Sequence, residues 1–456
     1  MIAWLVLTAP AHAGGYYYSE AGIVALGRGG AWIAGADTQF AQYHNPAGLV
    51  RIDAPVVNIG LSEVQQRVEF DRLVADDPAT PELESGFHPT ATNQASPYEV
   101  PEAGFATPIG KNFAFAFGFT SPYAPSALFD DQGAQRYSVV DTEIYQFQVG
   151  PSLAVRPVPW LAFGASFQWQ YLGIAETIKL TANGIDDPSG DIGVSISSRD
   201  VFTPGTNFGL LLEPTKPLTI GLSVQPPTTF HAKGSGTLDF TGNFLEVALA
   251  ESVYVDDEVT LRIELPWVLR AGVAVRPVED LEIEAAVVWQ DWSSLGDLVV
   301  EEVDVALEPS GALPLPDVPR QFSLPAGLDD TTSYRLGAEY TISPIVEVRA
   351  GGFWEDASLP AQETSVALYD PSKWQIGAGT SIYATKRRLR IDGAFAWITF
   401  RSLETRDSTV TQVSALEGPV LVVGNGDYRS HGWIAAASAS WYFRPIKKPP
   451  PDGNRR

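Results

Sequence analysis

Apolar and polar residues alternate along this chain with a period of two, over runs of about ten residues or more. In "FAFAFGF" Phe113, Phe115, Phe117 and Phe119 share one face, and Ala114, Ala116 and Gly118 the other. In "LAFGASFQWQY" Leu161, Phe163, Ala165, Phe167, Trp169 and Tyr171 oppose Gly164, Ser166, Gln168 and Gln170. "LEIEAAVVWQ", "YRLGAEYTI" and "WIAAASASWYF" repeat the pattern, with Glu282, Glu284, Arg335, Glu339, Ser438 and Ser440 on the polar face. Successive strand side chains point to opposite faces, so each segment reads as a strand with one greasy and one polar side. Trp and Tyr recur at the ends of the greasy faces, where an interfacial girdle needs them.

Strands are expected near 54–70, 100–109, 111–120, 136–156, 160–180, 202–214, 217–232, 260–276, 280–300, 331–342, 345–355, 373–384, 388–403 and 431–443, fourteen in all. Tight turns ("GKN", "PVPW", "PTKP", "RPVED", "SP", "ATKRR") alternate with long connections at 71–99, 121–135, 181–201, 233–259, 301–330, 356–372 and 404–430. An even strand number with short turns at one end and long loops at the other is the pattern of an outer-membrane barrel. Closure removes the edges that an open all-β chain exposes. The expected fold is an all-β, 14-stranded antiparallel transmembrane barrel. A soluble sandwich or propeller leaves the aromatic face ends unexplained. No run of 18 apolar residues supports a membrane-spanning helix.

The N-terminus, "MIAWLVLTAPAHAGG", has an apolar run and an Ala11-His12-Ala13 cleavage pattern, read as a signal peptide over 1–13. No basic segment precedes the run, as in a truncated start. Residues 14–50 are glycine-rich and irregular, yet carry Tyr16, Tyr17, Tyr18, Trp32, Ile33, Phe40 and Leu49, too apolar for a solvated tail. They are expected to fold as a plug inside the lumen, with Asn45-Pro46 fixing a turn at the junction with the first strand. Residues 51–443 form the barrel, and 444–456 a Pro-rich periplasmic tail.

The segment "ALGRGGAWIAGADTQFAQYHNPAGL" resembles the N-terminal hatch of the FadL-type outer-membrane transporters of long-chain fatty acids and aromatic hydrocarbons. The matching part is the "GRGGA…AD…NPA" spacing, with Gly27, Arg28, Gly29, Asn45, Pro46 and Ala47 as hatch or gating residues. "PEAGFATPIGKNFAFAFGFTSPYAP", "ELPWVLRAGVAVRPVEDLEIEAAVVWQDWSSL", "DDTTSYRLGAEYTI" and "RAGGFWEDASLPAQETSVALYDPSKWQIGAGTSI" match in order, so the resemblance covers nearly the whole chain. It implies that a hydrophobic ligand lands in a groove between extracellular loops and passes to a lumen pocket. Hatch movement and an inward kink of the third strand then release it sideways into the bilayer. Gly118 and Pro122 are the kink candidates here. The loop 71–99 and the C-terminal tail lack the family's pattern.

A greasy substrate suits an apolar pocket with a few polar anchors. A carboxylate head group calls for Arg or Lys, and Arg262, Arg270, Arg335 and Arg349 have lumen parity. Each has an alternative as an ion pair with Glu264, Glu339, Glu347 or a neighbour. The net charge of −24 argues against nucleic acid. With no Cys, thiolate metal sites and Cys nucleophiles are excluded. The five histidines show no i,i+4 pair, so no metal or other cofactor is expected. "GIDDPSGDIG" lacks the EF-hand spacing and reads as a solvated turn. No nucleophile–base set points to an enzyme. The expected protein is a monomeric outer-membrane transporter for a fatty acid or hydrocarbon, surrounded by outer-membrane lipid and inserted by the barrel assembly machinery. A barrel for aromatic hydrocarbons, or a structural or adhesive barrel, is the alternative.

Overall fold

The computed structural model describes residues 21–74, 86–123, 126–181, 185–243, 252–294, 298–303, 322–324, 327–412 and 421–446. The signal-peptide segment and the tail beyond residue 446 lie outside the described residues.

Fourteen strands close into one antiparallel barrel. The first six are β1 (Val56–Arg72), β2 (Tyr98–Ile109), β3 (Phe113–Tyr123), β4 (Asp141–Val158), β5 (Leu161–Thr181) and β6 (Asp191–Thr215). Strand β7 has two pieces, Leu218–Gln225 and Thr228–Asp239, as has β8, Ser252–Leu265 and Val268–Val278. Strand β9 (Leu281–Gln290) continues in Leu298–Val303, and β10 comprises Phe322–Leu324 and Thr331–Ser343. The last four are β11 (Val346–Glu355), β12 (Lys373–Ala384), β13 (Leu389–Phe400) and β14 (Gly426–Tyr442). Closure comes from β14 against β1, in register from Val56–Tyr442 to Arg72–Gly426.

The alternation sets the faces as expected. Phe113, Phe117, Phe163, Phe167, Trp169, Leu336 and Trp441 are exposed on the outer wall, and Ala114, Ala116, Ser166, Gln168, Arg335 and Ser440 are buried on the inner one. The barrel begins at Val56 of β1 and ends at Tyr442 of β14, both on the short-turn side.

Proline corrects the strand expectations in two places. Pro226-Pro227 divides the strand read as 217–232, because proline offers no N–H to the ladder. Pro266 divides the strand read as 260–276, and the alternation slips by one residue there. Val259 and Leu261 are buried before the break, Val268 and Arg270 after it. Residues 136–140, read as strand, are turn and bend, and β4 starts at Asp141.

The N-terminal segment lies within the barrel. Between residues 21 and 50, all but Ala21, Asp37 and Val50 are buried. Its elements are short: helix Ile23–Gly27, helix Ala41–His44 and a 3-10 helix Pro46–Arg51. Asn45 caps the last, its side chain accepting from the Ala47 amide at 3.2 Å, while Pro46 occupies the first turn where no N–H is needed. The core is therefore shared: Trp32, Phe40, Leu49 and Ile52 pack on Ala106, Ala114, Ala116 and Ala154 of β2–β4.

Candidate functional site

The hatch-like motif residues are buried against the wall. Arg28 donates from Nη1 to Glu282 Oε1 at 2.9 Å and from Nη2 to Glu284 Oε2 at 3.3 Å. Glu284 also accepts three backbone amides, from Ile33 at 2.6 Å, Ala34 at 2.8 Å and Gly35 at 2.8 Å. Alternation alone had placed Glu282 and Glu284 on the polar face of β9; it carried no signal that one would cap a turn some 250 residues earlier. Gly29 has φ +59°, and a Cβ there would overlap the Gly352 backbone. Gly337, Gly351, Gly377 and Gly379 likewise leave room for the backbone of residues 26–28. Gly27 and Gly29 thus serve close approach to β10–β12.

On the other side, residues 39–47 are held by neutral groups, and Arg51 pairs with Glu213 of β6 at 2.8 Å. Asn45 donates to the carbonyls of Ile33 at 3.0 Å and Leu210 at 3.1 Å. Asn207 donates to the carbonyls of Gln42 at 3.1 Å and Tyr43 at 2.6 Å. Ser152 donates to Gln42 Oε1 at 3.1 Å, and Ser166 to the Gln42 carbonyl at 2.9 Å. Pro46 and Ala47 press their backbone against Gly164, where a Cβ would not fit.

Strand β3 is regular through Gly118, which pairs with Gly104 and Gly150. The ladder to β4 breaks between Thr120 and Tyr123, around Pro122. Gly118 faces Gln42, and its missing Cβ makes room for that side chain. Of the two kink candidates, Pro122 therefore sits at the irregularity and Gly118 does not. Beside it lies a small, partly open recess of about 40 Å³, lined by Ala21, Leu26, Val64, Val100, Glu102 and Thr120 among others.

The four candidate arginines separate. Arg262 is on the outer wall, exposed and ion-paired to Glu264, because the slip at Pro266 reverses its face. Its reading as a lumen residue is corrected. Arg349 is in the lumen but committed, donating to Glu339 at 2.5 Å, Glu347 at 3.1 Å and Ser381 at 2.6 Å. Arg270 of β8 and Arg335 of β10 are both buried on the inner wall, on either side of β9, and both charges reach the His44 ring. Arg270 sits 5.1 Å from the Tyr43 ring centroid and donates to Gln225 at 3.2 Å. Arg335 lies 5.1 Å from the Phe353 centroid and donates to Ser333 at 2.9 Å.

Next to them is an apolar cluster of Tyr43, Trp292, Leu328 and Leu359, with Leu265 and Leu368 packed on it. Buried polar atoms on the neighbouring strand ends, Gln290 Oε1, Trp292 Nε1, Thr331 Oγ1 and both Gln375 amide atoms, have no hydrogen-bond partner among the described residues. Buried apolar side chains, unmatched polar atoms and the Arg270 cation thus meet on this part of the inner wall.

Above the lumen, Arg72 and Arg136 clamp the loops. Arg136 donates to Asp191 and Asp186, each at 2.5 Å, and Arg72 meets Asp186 at 2.8 Å. Burial pushes the Asp186 carboxyl up, but Arg72 and Arg136 outweigh it and hold it below the usual range. The segment "GIDDPSGDIG", read as a solvated turn, instead lends Asp186 and Asp191 to a buried ion cluster. In the loop before β12, burial lifts Asp370 to about 6 although Lys373 is 2.6 Å away.

A closed 14-stranded barrel with a lipid-facing apolar wall and a filled lumen is an outer-membrane transport barrel. The chain belongs to the family described as outer membrane protein transport protein (OMPP1/FadL/TodX), whose model matches residues 4–443. The long-chain fatty acid transport protein of Escherichia coli (strain K12) is 22% identical over 443 residues, covering 89% of this chain and 92% of the relative. The crystal structure of a Pseudomonas aeruginosa FadL homologue superposes with a TM-score of 0.77 at 19% identity, over 94% of this chain and all of that one. The Ralstonia pickettii toluene transporter TbuX gives 0.65 at 17% identity, over 93% and 99%. These structures share the fold. The family consists of bacterial outer-membrane transport channels for hydrophobic compounds rather than enzymes.

Proposed function

We propose that this protein takes up hydrophobic compounds bearing an acidic head group, long-chain fatty acids first among them. The observation that carries the reading is the pairing of Arg270 and Arg335 with the apolar cluster around Tyr43 and Trp292. A carboxylate would lie between the two guanidinium groups, where charge-assisted hydrogen bonds are strong. The alkyl chain would lie on Tyr43, Leu328 and Leu359. Residues 14–50, described from residue 21 on, act as the hatch beneath this pocket. Exit is sideways at β3, supported by the ladder break at Pro122 and the recess beside it. The periplasmic route is disfavoured because the hatch fills it and the lumen wall there is lined with Arg28, Glu282, Glu339 and Arg349.

The test is mass spectrometry of lipids co-purified with the barrel, with binding of a labelled long-chain fatty acid to wild type, Arg270→Gln/Arg335→Gln and Asn45→Ala/Pro46→Ala. Saturable binding, weakened about tenfold or more by the arginine pair, supports the reading. Binding that ignores both variants overturns it. A monoaromatic hydrocarbon is the second reading, favoured by Tyr43, Trp292 and Phe353 in the wall. It predicts toluene binding that Arg270→Gln/Arg335→Gln leaves intact.

A further inference from the structure

The outer wall carries one feature that uptake does not use. On β6 the outward residues from Val201 and Phe202 through Phe208 to Leu212 are apolar or uncharged. Eleven residues at about 3.3 Å, tilted near 45°, span roughly 25 Å, the height of the hydrocarbon band. Trp169 marks its upper edge, donating from Nε1 to the Val201 carbonyl at 2.7 Å and meeting Phe202 edge-on at 5.4 Å.

Two residues above that edge, toward the long loops, Arg199 is exposed on the outer wall. Directly opposite it on β7 is exposed Lys233. Two residues along, Arg262 of β8 lies opposite His231. Like charges facing each other across a strand pair are unfavourable. Neither Arg199 nor Lys233 makes an ion pair among the described residues. Among the described side chains the acids nearby are occupied: Asp200 accepts from the Phe202 amide at 2.9 Å, Thr203 at 2.8 Å and the His231 amide at 2.8 Å, and Glu264 is paired to Arg262. The opposite side of the barrel differs. There Arg67 meets Glu69 at 2.8 Å, and Arg429 meets Asp71 at 2.8 Å. In a chain of net charge −24, unmatched cations set just above a lipid belt mark a site for an anion.

We propose that Arg199 and Lys233, flanked by Arg262, bind the phosphate groups of an outer-leaflet glycolipid of the lipid A type. Its acyl chains lie on the Trp169–Phe202–Phe208 wall, and its phosphorylated sugar sits at the height of the two cations. Each phosphate offers the acceptors that the opposed guanidinium and ammonium groups lack, and it relieves their repulsion.

The test is native mass spectrometry of the full barrel released from detergent, with bisphosphorylated lipid A, the same lipid A stripped of both phosphates, and phosphatidylglycerol as competitors. Wild type should retain bisphosphorylated lipid A roughly tenfold more than either competitor, with retention falling as salt rises. Arg199→Gln/Lys233→Gln should erase that preference, while Arg67→Gln/Arg429→Gln keeps it. Without lipid A the first variant should melt no lower than wild type, since it removes a repulsive pair; with lipid A it should lose the stabilisation that wild type gains. Equal retention of the dephosphorylated form, undiminished preference in Arg199→Gln/Lys233→Gln, or phosphatidylglycerol competing equally would each overturn the assignment.

Discussion

The two flanks of the buried N-terminal segment are held by different physics. Toward β9–β12 the contact is ionic and backbone-tight: Arg28 between two glutamates, three amides on one carboxylate, and glycine against glycine. Toward β2–β6 residues 39–47 are held by neutral groups: Gln39 and Gln42 against glycines, Asn207 on two carbonyls, and Ser152 and Ser166 on Gln42; the ion pair on that side, Arg51–Glu213 at 2.8 Å, sits at the junction with β1. Breaking a buried ion pair leaves an uncompensated charge, whereas a neutral hydrogen bond is worth about 1 kcal/mol net. In the proposed function the segment would hinge on β9–β12 and on its junction with β1, and yield toward β3, the side where the ladder breaks and the recess lies.

Cross-linking would break this comparison most sharply. The chain has no cysteine, so two engineered ones are specific. A Cβ at Gly104 would stand 3.5 Å from Gln39 Cβ, and one at Gly337 would stand 3.1 Å from Ala31 Cβ. Such separations suit or nearly suit a disulfide. Oxidised Gln39→Cys/Gly104→Cys should abolish fatty-acid uptake by cells, with recovery on reduction. A Cβ at Gly337 also crowds the Arg28 carbonyl at 2.5 Å, so the reduced Ala31→Cys/Gly337→Cys variant is the reference, and oxidation should leave its uptake unchanged. The reverse result would place the moving side at β10.

Next in size is Glu284→Ala. It leaves Arg28 with Glu282 but strands three buried amides, a loss of about 3–5 kcal/mol in how firmly the segment is held. Limited proteolysis within residues 21–50 should become rapid while the barrel itself stays resistant. A resistant segment would show that the ionic flank is not the anchor.

Gly29→Ala tests the same flank through the backbone. A left-handed φ and overlap with Gly352 together cost about 1–3 kcal/mol, so the melting temperature in detergent should fall. An unchanged value would mean that the segment can shift away from β11 at little cost.

The smallest effect belongs to the neutral flank. Asn207→Ala removes two donors to the Gln42 and Tyr43 carbonyls and should cost about 1–2 kcal/mol. Its signature is faster exchange of the amides of residues 39–46 with unchanged exchange at residues 33–35, where Glu284 still holds them. Uniform acceleration across the segment would erase the distinction between the flanks.

Much of the barrel was legible because its signal is local. Phe113 to Phe119 declare their faces within seven residues, and "GKN" or "SP" declares a tight turn without reference to anything distant. The site was less legible. Arg270 and Arg335 were correctly put on the lumen side, but nothing in the sequence separated them from Arg349, whose three partners come from β10, β11 and β12. Arg262 failed for a specific reason: parity counts only while the ladder is unbroken, and Pro266 breaks it.

By itself the sequence determined the strand count, the greasy and polar faces, the long-loop end and the place of residues 21–50 outside the sheet. The tertiary structure alone decided which lumen charges are spent on each other, that Glu284 holds the turn at Ile33–Gly35, and that Asp186 and Asp191 are clamped by Arg72 and Arg136. The physical reason is range. Alternation arises from the stereochemistry of adjacent residues, whereas charge pairing across a lumen depends on register and closure, which no short window of the chain contains.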